Sequence, residues 1–167
     1  MFELYNNDNI IPKSKYDQIY RIIVDNFFDR NKDLVAKRDE IDTKEKYDHW
    51  VNTILNTKDY NILIYYDENM IIGFAAYRYI DDYLCLSEVQ FNANYKNKGY
   101  LRELLKNVII RTDKDRYNKV FATTKKDNIL AQQVLNHIGF VNTENNRYEI
   151  ECTDLLNWIN KKTLTNS

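Results

Sequence analysis

Glycine, proline, cysteine and histidine are all scarce in this chain: its 167 residues include three glycines, one proline, two cysteines and two histidines. Two cysteines, Cys85 and Cys152, cannot build a disulfide framework. Each sits in an apolar, strand-like run, so packed, reduced thiols in a cytoplasmic protein are expected. His49 and His137 fall in no Cys/His ligand spacing, and no metal site is expected. Net charge is nearly absent as well. The formal value of -1 argues against a general nucleic-acid binder but leaves room for a local basic patch. No window approaches the roughly 18 apolar residues of a membrane span. The opening "MFELYNNDNIIPKSK" has no long apolar core and no small-residue cleavage site, so no secretory signal is expected. Without repeats, low-complexity linkers or Gly/Ser-rich breaks, residues 1–167 read as one domain, long enough for a sizeable core.

What is present is periodicity. "FELY" reads as a short first strand. Pro12 and Ser14 then punctuate a helix start, and Tyr16, Ile19, Tyr20, Ile23, Val24, Phe27 and Phe28 recur at helical spacing to about Arg30. The segment "NKDLVAKRDEIDT" is charged and weakly patterned. Asp42 and Glu45 have capping-box spacing ahead of a second apolar stripe: Tyr47, Trp50, Val51, Ile54 and Leu55. The period then changes. "YNILIYY", "MIIGFAAYRYI" and "DYLCLSEVQF" are rich in β-branched and aromatic residues, and "DEN" and "DD" join them with tight-turn chemistry. Three consecutive antiparallel strands are expected.

A third helix carries Leu101, Leu104, Leu105, Val108 and Ile109; "KVFATT" is a strand. "DNILAQQVLNHIGF" is a helix with Asp127 as N-cap and Gly139 as C-cap. "RYEIEC" is a last strand. "TDLLNWINKK" is a short helix that docks through Leu155, Trp158 and Ile159. The order β-α-α-β-β-β-α-β-α-β-α implies an α/β (α+β) class, with a mixed sheet flanked by helices.

One of the few glycines, Gly99, stands where a strand becomes a helix, in "FNANYKNKGYLRELLKNVII". The first turn of a helix has unpaired N–H groups and the positive end of the helix dipole, which together attract phosphate. Glycine lets a ligand approach the backbone closely. Lys96, Lys98 and Arg102 add positive charge. These residues describe a site for a phosphorylated ligand, most simply a pyrophosphate. They equally describe a plain turn with solvated lysines, and the spacing alone leaves both readings open.

The segment is neither a Walker A loop nor G-x-G-x-x-G. It resembles motif A of the GNAT superfamily of N-acetyltransferases, Arg/Gln-x-x-Gly-x-Gly/Ala, here Lys96-Asn97-Lys98-Gly99-Tyr100-Leu101. Lys96 replaces Arg/Gln, and Leu101 replaces the second small residue. Leu101 belongs to the apolar stripe and is expected to turn inward. A second stretch resembles motif B of the same family through Asn128, Ala131, Val134, Gly139 and Phe140. "MIIGFAAYRYI", with Gly73, resembles the family's third strand. The resemblance covers about residues 60–150.

The resemblance implies a GNAT fold and acetyl-CoA as co-substrate. It implies pantetheine contacts from the backbone of Val89, Gln90 and Phe91 and from Asn128, and a pyrophosphate cradle formed by Lys96, Asn97, Lys98, Gly99, Tyr100, Leu101 and Arg102. It also implies transfer of acetyl to a primary amine of a small molecule or a protein, gripped by "NKDLVAKRDEIDT" and the last strands. Homodimers are common in the family, and one is compatible here. No nucleic-acid or membrane partner is expected. Amine acylation needs a base and a proton for the leaving thiolate. Glu88, an acid inside an apolar strand, is the candidate base, with burial expected to raise its pKa. The family's usual acid, a tyrosine of motif B, is replaced by Leu135, and Tyr148 is the substitute candidate. His49, His137 and Cys85 are weaker candidates. The missing tyrosine leaves a second reading open: a GNAT-fold module that binds acyl-CoA without transferring it. A third is an unrelated nucleotide-binding α/β domain.

Overall fold

The computed structural model describes residues 1–30, 60–96 and 99–161, with residues 27–30 described in their backbone only. The expected helix over 42–55, His49, and the segment "NKDLVAKRDEIDT" lie outside the described residues.

The expected elements form where their patterns stand. Strand β1 is Phe2–Tyr5, helix α1 is Lys13–Arg30, and strands β2, β3 and β4 are Asn61–Asp67, Met70–Ile80 and Tyr83–Phe91. The β2–β3 and β3–β4 turns are both tight. Glu68 and Asp81 open them with positive φ of 52° each, a conformation that short polar turns accept. Helix α2 is Tyr100–Arg111, strand β5 is Lys119–Thr123, and helix α3 is Ile129–Ile138. The chain then departs from the expected order. Val141–Glu144 forms a strand, β6, before β7 at Arg147–Glu151, and helix α4 follows at Cys152–Asn160. Asn145 and Asn146 join β6 to β7 with φ of 45° and 65°. Two left-handed residues in succession are the turn that best matches the twist of a hairpin, and Asn is among the residues that accept it. Hydrogen bonding orders seven strands as β1-β2-β3-β4-β5-β7-β6, antiparallel except for the parallel β4–β5 ladder among the registers described.

Two compact units share this chain: residues 1–77 with 88–100, and residues 78–87 with 101–167. Strands β3 and β4 each contribute to both. In the first unit α1 lays Ile19 and Ile22, with Tyr16 and Ile23 beside them, on a core of Tyr5, Ile62, Ile64, Tyr66, Ile71, Phe74 and Ala76. Ile62 pairs Ala76 and Ile64 pairs Phe74; an irregularity between Tyr65 and Tyr66 then brings Tyr66 opposite Ile71. A bulge of this kind changes the parity of one strand, so Ile71 and Phe74 both reach the core. Lys15 ties α1 to β1. Its ammonium pairs with Glu3, donates to the Tyr5 hydroxyl at 2.6 Å and lies over the rings of Tyr5 and Tyr66. The hydrogen bonds from Lys15 and Tyr5 hold the Glu3 carboxyl below its ordinary value of 4.5. Burial pushes the Tyr66 phenol up to about 12.

In the second unit Leu84↔Val120↔Ile150 and Leu86↔Ala122↔Tyr148 run across β4, β5 and β7, placing these apolar side chains on one face of the sheet. All six are buried. On the other face the Arg147 guanidinium lies over Tyr83 and Phe121, 4.7 and 3.8 Å from the ring centroids, and its Nε donates to Glu149 at 2.6 Å.

Candidate functional site

The β4–α2 junction is built by short-range bonds. The Asn92 N–H donates to the Ile72 carbonyl at 3.0 Å, which anchors the end of β4 to β3. The Asn92 side chain then accepts from the Asn94 N–H at 3.2 Å and caps a single 3-10 turn, Ala93–Tyr95. Lys96 leaves that turn in extended conformation, half-buried. Asn97 and Lys98 lie outside the described residues. Gly99 follows with φ of +77°, and a Cβ built on it would meet nothing within 4 Å. So the glycine is required by backbone conformation and not by crowding: L side chains rarely adopt this φ, and the space beside the backbone is open. Helix α2 begins at the next residue, and its first-turn N–H groups have no partner within the helix. Tyr100 is half-buried, edge-on to Tyr65 and Tyr95 at centroid separations of 5.8 and 5.7 Å.

Further along α2 the buried stripe is Leu104, Leu105, Val108 and Ile109, as its spacing predicts. Leu101 heads the same stripe and is half-buried. Arg102 has a partner that the sequence did not suggest. Its guanidinium lies 4.6 Å from the centroid of the Trp158 ring and donates to the Lys161 carbonyl at 2.7 Å, at the C-terminal end of α4.

Glu88 is half-buried, not enclosed, and it is held by a relay from α1. Asn26 Nδ2 donates to Gln90 Oε1 at 2.9 Å and to the Phe91 carbonyl at 3.0 Å, while Gln90 Nε2 donates to Glu88 Oε2 at 3.1 Å. The first of these bonds fixes which end of the Gln90 amide faces Asn26, and hence that its NH2 faces the carboxylate. Asn26 escaped the sequence reading because an asparagine on a helix has no pattern that names its partner. Its bond to the Phe91 carbonyl also takes up one of the backbone groups expected to face pantetheine. Val89 is half-buried on the same strand. Gly73 sits under Phe91: a Cβ there would come within 2.5 Å of Phe91 Cδ1 and 2.9 Å of the Gln90 carbonyl oxygen.

The remaining candidates belong to the second unit. The N-cap of α3 is Asn128, not Asp127, and its side chain accepts from the Ala131 N–H at 3.3 Å. Gly139 ends the helix in the left-handed region at φ 112°, with its N–H bonded to the carbonyls of Leu135 and Asn136. Leu135 is half-buried. Tyr148 is buried at 6% exposure, between Ala122 of β5 and Asn142 of β6. Glu88 thus belongs to the first unit and Tyr148 to the second. Cys85 is a free, buried thiol whose pKa is raised by burial, the opposite of what a nucleophile needs. His137 is exposed in the last turn of α3 and lines an open cleft with Asp154 and Trp158. Among the described residues, no group of three or more His, Cys, Asp or Glu side chains is arranged to hold a metal ion. No described helix is long and apolar enough to cross a membrane.

Solved structures share this fold at low identity. A PaiA N-acetyltransferase from Thermoplasma acidophilum, in complex with coenzyme A, is 14% identical over 90% of this chain and 98% of that one, with a TM-score of 0.65. An acetyltransferase from Thermus thermophilus gives 0.68 at 11% identity, covering 90% and 97%. A GNAT family acetyltransferase from Elizabethkingia anophelis with acetyl-CoA bound gives 0.59 at 15%, again covering 90% and 97%. No curated protein matches the chain. The family model described as acetyltransferase (GNAT) domain matches residues 2–154, so the chain belongs to the GNAT acetyltransferase family.

Proposed function

We propose that this protein is an N-acetyltransferase that moves an acetyl group from acetyl-CoA to a primary amine. The observation that carries the reading is Gly99: a left-handed residue with open space where its Cβ would be, at the mouth of a strand-to-helix junction. A phosphate needs such a place, because it can approach the N–H groups only where no side chain intervenes. The N–H groups of Gly99, Tyr100, Leu101 and Arg102, with Lys96 and Lys98, would hold the pyrophosphate. The β4–β5 ladder runs from Tyr83↔Lys119 to Leu86↔Ala122, and β4 continues through Val89, Gln90 and Phe91. In this reading the backbone of that extension would meet the pantetheine arm, and Asn128 is a separate candidate contact to it.

Acetyl-CoA supplies a thioester. The amine nitrogen forms the new C–N bond, the C–S bond breaks, the amine gives up a proton and the thiolate accepts one. Glu88 is the base in this reading, acting directly or through a water. The Asn26–Gln90 relay supports the role by holding the carboxylate in one orientation, and orientation supplies much of the rate in such reactions. Tyr148 is the proposed proton donor to sulfur, with Leu135 standing where the family's tyrosine is usual. That same Leu135 favours one other reading, an acyl-CoA-binding module without transfer.

Calorimetric titration of acetyl-CoA into the protein tests the binding claim, and thiol release across a panel of primary amines tests the transfer. Micromolar binding with amine-dependent thiol release is expected. Binding without thiol release for any amine would favour the module. Absence of binding at millimolar acetyl-CoA would overturn both readings.

A further inference from the structure

Arg102 is a basic residue in the first turn of the cradle helix, and by charge alone it belongs on a phosphate. Its geometry is otherwise. The guanidinium is placed over the Trp158 ring at 4.6 Å, and NH1 donates to the Lys161 carbonyl at 2.7 Å. Lys161 is the residue at which α4 ends, and its N–H still bonds back to the Asn157 carbonyl at 3.1 Å. A helix end carries unpaired carbonyls and partial negative charge, which a guanidinium complements. The ring face adds a cation–π attraction. Two different attractions from one short helix therefore converge on one side chain. Helix α4 is itself anchored: Leu155 and Ile159 are buried, at 0% and 6% exposure, and the helix packs on β7.

We infer that Arg102 is a positioning residue: it fastens the first turn of α2 to the C-terminal end of α4, and thereby holds the N–H groups of Leu101 and Arg102 in the direction from which a phosphate is bound. The inference rests on the acetyl-CoA reading above and adds a supporting element, Trp158 with the Lys161 carbonyl, that lies outside both family motifs. A ligand phosphate is then recognised by the backbone of this turn, while the guanidinium stays with α4.

The test is a double-mutant cycle on acetyl-CoA affinity with Arg102→Gln, Trp158→Leu and the pair. Each single change is expected to weaken binding about three- to tenfold, the factor that corresponds to losing one cation–π contact. The double variant should be no weaker than the worse single one, because both changes cut the same link. Arg102→Lys keeps the charge but loses the planar fork, and should recover only part of the affinity. Thermal unfolding of each variant without ligand separates fold from function. A small change in midpoint with the full loss of affinity is the expected pattern. If Trp158→Leu binds acetyl-CoA as the parent does while Arg102→Gln is impaired, or if Arg102→Lys binds fully, then Arg102 acts as a charge on the phosphate and the inference is overturned. If the parent itself does not bind acetyl-CoA, the reading it rests on has failed, and the inference falls with it.

Discussion

Replacing Gly99 separates backbone strain from ligand access. At φ +77° an alanine would hold its Cβ in the left-handed region, at a cost of about 1–2 kcal/mol. No packing term is added, because the new methyl would meet nothing within 4 Å. For a protein of this length such a loss lowers the unfolding midpoint by about 2–8 °C. Asparagine tolerates the left-handed region better than alanine and should lose roughly half as much. Stability is therefore expected to fall in the order Gly, Asn, Ala. Acetyl-CoA affinity should follow a different order if phosphate occupies the proposed place, because either side chain would enter that space and the asparagine would enter further. Alanine should weaken binding at least about tenfold, or about 1.4 kcal/mol, and asparagine at least as much. Calorimetry gives the affinities and a thermal melt without ligand gives the stabilities. If affinity simply tracks stability across the three proteins, or if Gly99→Ala binds as the parent does, the open space at Gly99 is not where phosphate sits.

Gly73→Ala should behave in the opposite way. Its Cβ would lie 2.5 Å from the Phe91 ring and 2.9 Å from the Gln90 carbonyl oxygen, so the strand must shift, at a cost of about 1–3 kcal/mol in denaturant unfolding; a variant as stable as the parent would contradict the contact. Glu88→Gln should lower kcat by about a hundredfold or more and abolish the acidic limb of the pH–rate profile, and Gln90→Leu should lower kcat without raising the KM for acetyl-CoA. An unchanged kcat in Glu88→Gln would remove it as the base. Glu3 has a folded pKa below its ordinary 4.5, mainly through its bonds to Lys15 and Tyr5, so its stabilisation is present above that value and is lost as pH falls through the folded pKa. The Glu3→Gln protein should melt lower than the parent at neutral pH and lose less on acidification; parallel curves for the two proteins would show that the pair contributes nothing.

Side-chain periodicity is a local property, and what depends on it was legible. The stripe Leu104, Leu105, Val108, Ile109 marked both the length of α2 and its buried face. Runs of alternating β-branched and aromatic residues marked β2, β3 and β4. Gly139 was readable as a C-cap because few other residues accept its φ. Where two residues competed for one local role, the pattern was less decisive. Asp127 and Asn128 are adjacent and both are good caps, and only the backbone path chose Asn128. Strand β6 was missed because "VNTE" is short, exposed along its length and lacks an apolar face; the two asparagines after it were the available signal.

By itself, the sequence determined the order of elements over most of the described chain, the family through its two motifs, and the strand-to-helix junction at Gly99. Each depends on residues close together in the chain, where propensity, caps and spacing act. Tertiary structure alone decided the partners. Asn26 reaches Gln90 and Phe91 from another element, Arg102 is held by Trp158 and the Lys161 carbonyl, and Gly73 is small because Phe91 lies on it. A side chain's partner across tens of residues is set by how elements pack, and a periodic pattern specifies the face of an element without specifying what that face will meet.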